Sequence, residues 1–74
     1  MNPLKGLYQH LRTGGIYFVN GCARDVTNPN KISVVYSQLY ESKLKNTDTN
    51  LPRGSMWIRD INDFENKFKK CPEN

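Results

Sequence analysis

The run Ile32-Ser33-Val34-Val35-Tyr36-Ser37-Gln38-Leu39-Tyr40 restricts the fold more than any other part of the chain. Read at a period of two, it places Val34, Tyr36, Gln38 and Tyr40 on one face and Ser33, Val35, Ser37 and Leu39 on the other. Its β-branched and aromatic residues suit a pleated, half-buried surface. A strand of this kind needs partners. From Leu7 to Arg12 the residues also alternate and run directly into Thr13-Gly14-Gly15, which reads as a strand ending in a tight turn. Leu4, Leu7, Tyr8 and Leu11 fall at helical spacing as well, but Gly6 and the glycine pair hold such a helix to marginal length, so the strand is preferred. Ile16-Tyr17-Phe18-Val19 reads as a strand that continues through Asn20-Gly21 into Cys22-Ala23-Arg24, with Gly21 as a bulge or bend. Asp25 to Lys31, centred on Thr27-Asn28-Pro29-Asn30, has the chemistry of an exposed hairpin loop.

Beyond Tyr40 the character changes. Glu41 to Ser55 is a polar connection without periodicity, and loops of that length in small domains are usually functional or mobile. Met56-Trp57-Ile58-Arg59 returns to strand character. Asp60 can cap a helix in which Ile61, Phe64 and Phe68 share a face, with acidic residues early and Lys67, Lys69 and Lys70 late, as the helix dipole favours; Pro72 ends it. Four strands and a helix joined by short hairpins predict a mainly β fold: a small antiparallel SH3-like barrel or curved sheet with a short C-terminal helix. One domain over 1–74 is expected, with its core at about 7–70 and a variable loop at 41–55.

With 74 residues, 36% of them hydrophobic, such a chain buries only about 60% of the surface its unfolded form exposes. Few large side chains can be spared from the core. No apolar run is long enough to span a membrane, and Met1 to Gly6 has no apolar signal core, so a cytoplasmic protein is expected. Cys22 and Cys71 form neither a C-x-x-C pair nor a metal knuckle, and His10 is the chain's single histidine. Two reduced thiols, no metal and no cofactor are expected. Nine asparagines and four tyrosines are typical of AT-rich coding sequence, which associates the chain with a low-GC bacterium or a phage.

Several separated motifs resemble the DUF1653 family, small bacterial and phage proteins of unknown function. They are Tyr8-x-His10, Gly14-Gly15-x-Tyr17-x-Val19, Gly21-x-Ala23-Arg24, Val34-Val35-Tyr36-x-Gln38-Leu39-Tyr40, and Met56-Trp57-Ile58-Arg59 ahead of Phe64-Glu65. The chain departs from the family's pattern in one extra residue between His10 and the glycine pair, in the length of the 41–55 segment, and in Asp60 where the family carries proline. The resemblance implies no activity.

Polar residues embedded in strands are the candidates for function: His10, Arg24, Gln38 and Arg59, interleaved with Tyr36, Tyr40 and Trp57. If the two strand faces coincide, an aromatic wall carries two guanidinium groups and an amide. That surface suits a planar anionic ligand, with rings stacked on Trp57 or a tyrosine, Arg24 and Arg59 on phosphate, and Gln38 on a base edge. A nucleotide-like ligand or a single nucleic-acid strand is therefore expected. The competing expectation is a half-exposed sheet face whose arginine stems merely cover aromatic rings. A net charge of +4 and a pI near 9.3 permit attraction to phosphate. The lysines nevertheless look dispersed over loop and helix end, with no dense stripe and no helix-turn-helix, which argues against duplex DNA. The alternative class is a protein-interaction module, such as a phage accessory factor engaging a host protein, with Leu44 and Leu51 as anchors in the 41–55 loop. Catalysis is not expected, because no nucleophile, base and orienting group occur together, and His10 reads as a structural residue. Oligomeric state leaves no mark in the sequence.

Overall fold

The computed structural model describes residues 5–72. Met1–Leu4 and Glu73–Asn74, at the ends of the expected 1–74 domain, lie outside them, as does the start of the competing helical spacing at Leu4. Strand β1 (Gly6–His10) stops two residues short of the expected Arg12 and turns over 11–15 into β2 (Ile16–Asp25), which turns into β3 (Asn28–Gln38). A small hairpin of β4 (Ser42–Lys43) and β5 (Asn50–Leu51) follows. The chain then forms β6 (Met56–Asp60), helix α1 (Ile61–Lys67) and β7 (Phe68–Lys70). The main sheet is antiparallel in the order β6-β3-β2-β1-β7.

Gly21 does act as a bulge. Val19 pairs with Tyr36 and Gly21 with Val35, leaving Asn20 unopposed. The extra residue lets Val19 and Cys22, an odd and an even position, both face the core, whereas an uninterrupted strand would turn one of them outward. Val19 and Val34 are fully buried there with Tyr8, Tyr36, Phe64 and Phe68.

The sheet curls without closing, so of the two expected forms it is the curved sheet. Phe68 on β7 and Tyr36 on β3 have ring centroids 5.4 Å apart, although β1 and β2 lie between their strands. At about 4.8 Å per strand a flat sheet would hold them roughly 14 Å apart. Helix α1 enforces the curl, because its 7 residues cover only about 10 Å while linking the two edges β6 and β7. Asp60 caps it as expected, its carboxylate accepting from the backbone N–H of Asn62 (3.0 Å) and Asp63 (3.4 Å).

Further boundaries differ from expectation. The helix stops at Lys67, and Phe68–Lys70 pairs with Tyr8–His10 as an edge strand, so Lys69 and Lys70 are not in its last turn. The edge of β1 supplies backbone partners that a further helical turn would have to forgo. The expected 25–31 loop is mostly strand: its arms extend to Asp25 and Asn28, with Val26–Thr27 as the turn, held by the Asp25 carboxylate accepting from the Thr27 N–H (2.9 Å) and hydroxyl (2.7 Å). The 41–55 segment carries the β4–β5 hairpin. Tyr40 lies just past the end of β3 rather than within it. Among the described residues no helix is long and apolar enough to cross a membrane.

Candidate functional site

Strand register settles which side chains share the concave face. Tyr36 stands opposite Trp57, Val34 opposite Arg59, Tyr17 opposite Gln38, and His10 opposite Phe68; directly opposed residues point the same way. The aromatic floor beneath them is dense. Phe64 and Phe68 stack at 4.2 Å with 6° between planes, and Tyr36 leans on both. Tyr36 is consequently a core ring, and its hydroxyl is what it offers the site.

That hydroxyl accepts from Arg59 Nε at 3.3 Å, while Arg59 Nη1 donates to Asp63 Oδ2 at 3.2 Å. The guanidinium lies 5.4 Å from the centroid of Phe68. Asp63 also takes Lys67 Nζ at 3.1 Å, so one carboxylate holds two cations, Arg59 from the end of β6 and Lys67 one turn on in the helix. Nη2 of Arg59 makes no hydrogen bond among the described residues. Arg59 is thus held by its ring contact and two nitrogens, with the third nitrogen available to a ligand.

Gln38 takes a different part from the one its type suggests. It is 2% exposed, and its Nε2 faces the carbonyl of Tyr40 (2.8 Å), the hydroxyl of Ser42 (3.2 Å) and the carbonyl of Leu51 (3.2 Å). Its Oε1 accepts the Trp57 indole N–H at 2.9 Å. The Gln38 backbone binds Ser55 O (3.0 Å) and Gly54 N (2.8 Å). This residue fastens the 41–55 segment to the sheet and orients Trp57, and its amide has no capacity left for a base edge.

Above it the Tyr17 and Tyr40 hydroxyls meet at 2.5 Å. Burial, with that hydrogen bond second, pushes the Tyr17 phenol well up. Gly15 makes room for the pair, since a Cβ there would sit 2.9 Å from the Tyr40 oxygen and 3.2 Å from the Tyr17 ring. Tyr17, Gln38, Tyr40, Trp57 and Arg59 then line a cavity of about 350 Å³ together with Lys43, Lys45, Leu44 and Leu51 of the hairpin segment, within the range of small-ligand sites.

Of the residues expected to form a site, Tyr36, Gln38, Tyr40, Trp57 and Arg59 are brought together. His10 is a neighbour: it lines a second cavity that also touches Arg59. Its Nδ1 accepts the Thr13 N–H at 3.2 Å, which leaves the proton of the neutral ring on Nε2. Burial lowers its pKa, and the nearby charges of Arg59, Arg12 and Lys67 lower it further. Arg24 is not brought in. It is exposed, donates Nη1 to the Pro29 carbonyl at 2.7 Å, and lines a separate cavity with Asp25 and Lys31.

Sequence reasoning missed Tyr17, Lys43 and Lys45. Tyr17 could have been placed by continuing the alternation of Ile16–Val19. The two lysines carry no local signal, because their position depends on the long-range bonds of Gln38. Among the described residues no cluster of three or more His, Cys, Asp or Glu side chains is arranged to hold a metal. No protein-family model, curated protein or solved structure matches the chain, and the likeness to the DUF1653 family stands on the quoted motifs alone.

Proposed function

We propose that the protein is a non-enzymatic binder of an anionic ligand bearing a planar ring, a nucleotide or a single nucleic-acid strand, held in the cavity between Trp57, Tyr40 and Arg59. The setting we propose is the cytoplasm of a bacterium or phage-infected cell. The observation that carries this reading is the fixed Arg59 guanidinium beside an aromatic wall, with Lys43 and Lys45 facing the same space. Charge-assisted hydrogen bonds from a pre-positioned guanidinium suit phosphate, and tyrosine and indole faces suit a base. His10 is occupied by Thr13 and packed edge-on to Phe68 at 4.8 Å, which favours a structural part for it over acid–base chemistry.

Trp57 is the chain's single tryptophan and lines the cavity, so its fluorescence reports on occupancy. Titration with mononucleotides and short oligonucleotides should produce a saturable change that inorganic phosphate alone does not reproduce. A flat response to every one of these at millimolar concentration rejects the reading.

The second reading, a module that engages a host protein, draws on β6. This edge strand exposes Met56 (63%) and Ile58 (72%) on the outer face, where an extended partner segment could add. Ile58→Lys would abolish capture of such a partner and leave the Trp57 response intact; capture that survives the substitution rejects this surface.

A further inference from the structure

Arg59 is common to the cavity beside Trp57 and to a second one. The same guanidinium lines the second cavity, also about 350 Å³, in company with Arg12 and Lys67. Arg59 therefore stands between two cationic groups, Lys43 and Lys45 on one side and Arg12 and Lys67 on the other. Asp63 is shared by Arg59 and Lys67 and holds both in place, while the track as a whole stays net positive.

Spacing along β3 sets its length. Arg59 binds the Tyr36 hydroxyl, and the hairpin that carries Lys43 is bound to Gln38, two residues along β3, or about 7 Å at roughly 3.3 Å per residue. An extended single strand spaces its phosphates at about twice the 3.4 Å per-strand rise of a duplex, so this interval takes about two phosphates, and the Arg12–Lys67 side takes further ones. A mononucleotide carries its phosphate on its sugar, at one end of the molecule, and would leave one cationic group unused.

We infer that the two cavities form one groove for a single nucleic-acid strand several nucleotides long, with phosphates passing Lys43 and Lys45, then Arg59, then Lys67 and Arg12, and with bases laid on Tyr40 and Trp57. This rests on the ligand chemistry proposed above and names its class. The aromatic surface distinguishes the strand from other polyanions, which have no ring to stack. It also disfavours a duplex, whose bases are already stacked and paired.

The test compares one mononucleotide, oligothymidylates of two to eight residues, the longest of these annealed to its complement, and a sulfated heparin oligosaccharide, by Trp57 fluorescence and by anisotropy across a salt series with the full chain. Affinity should rise about tenfold or more from monomer to the longest strand. The exposed double variants Lys43→Ala/Lys45→Ala and Arg12→Ala/Lys67→Ala should each weaken strand binding and lower the salt slope by about 0.7 for each phosphate left without its cation. Circular dichroism confirms that each variant is folded, and single substitutions replace any pair that is not. A mononucleotide bound within about threefold of the longest strand overturns the strand and leaves the pocket standing. Equal binding of duplex or of heparin without a Trp57 response also overturns it. No binding of any nucleotide overturns the underlying reading as well.

Discussion

Arg24 and Arg59 lie on strands of the same sheet, yet one closes a hairpin and the other lines a cavity with aromatic walls. Register even puts Arg24 on the face of Cys22 and Val34, the face that Arg59 shares. Position along the curl separates them. Near Arg59 the short helix draws the two sheet edges together, the Phe64–Phe68 stack supports the guanidinium, and the Gln38-bound hairpin walls the space. Around Arg24 every residue from Ala23 to Lys31 is exposed, and the guanidinium turns back to the Pro29 carbonyl. Chemical type and strand parity are thus insufficient for a site, which also needs packing that holds a charged group in a fixed place.

The sharpest way to break this contrast is Phe64→Ala. Phe64 is 1% exposed beneath the groove, and its loss should cost about 3–5 kcal/mol in denaturant unfolding, whereas Val26→Ala at the hairpin tip, 91% exposed, should change stability by less than about 0.5 kcal/mol. Similar losses at the two places would erase the distinction.

Gln38→Leu comes next. It strips the Trp57 N–H and the Tyr40 and Leu51 carbonyls of their partner, for a loss of about 2–3 kcal/mol. Trypsin should then cut at Lys43, Lys45 or Arg53 well before global unfolding. Wild-type protection of that segment would show that Gln38 is not its fastening.

For ligand binding, Arg59→Gln should weaken affinity for an oligothymidylate by about tenfold, roughly 1.4 kcal/mol, and Arg24→Gln by less than about twofold. Equal effects would restore the guanidinium pair that the sequence suggests.

The smallest expected effect is a pH dependence. His10 has its pKa lowered in the folded chain, so below its ordinary value near 6.5 the unfolded chain takes up more protons than the folded one. Stability is therefore complete above that pH and falls as acid is added towards the folded value. His10→Asn should flatten this slope, and an unchanged slope assigns it to other groups. A phosphate bound among Arg12, Arg59 and Lys67 would raise the His10 pKa, so strand binding should strengthen over the same interval.

Much of the architecture can be read from neighbouring residues. The alternation of Ile32–Gln38, the bulge at Gly21 and the cap at Asp60 are local, because pleating, left-handed backbone and orphan helix N–H groups act over a few residues. Face assignment within each strand follows, which pairs Tyr36 with Gln38 and Trp57 with Arg59, and the register of β3 against β6 then brings the two pairs together. Other features depend on contacts between residues far apart in the chain. Phe68–Lys70 leaves the helix because the β1 edge, some sixty residues earlier, offers partners. Gln38 becomes a fastening rather than a reader because Ser42, Leu51 and Trp57 converge on its amide. Lys43 and Lys45 line the cavity through the same bonds, and Arg24 is left out because the curl does not reach it. Periodicity tells a side chain which face it occupies; how strongly the sheet bends, and therefore which residues on that face meet, depends on packing across the whole chain.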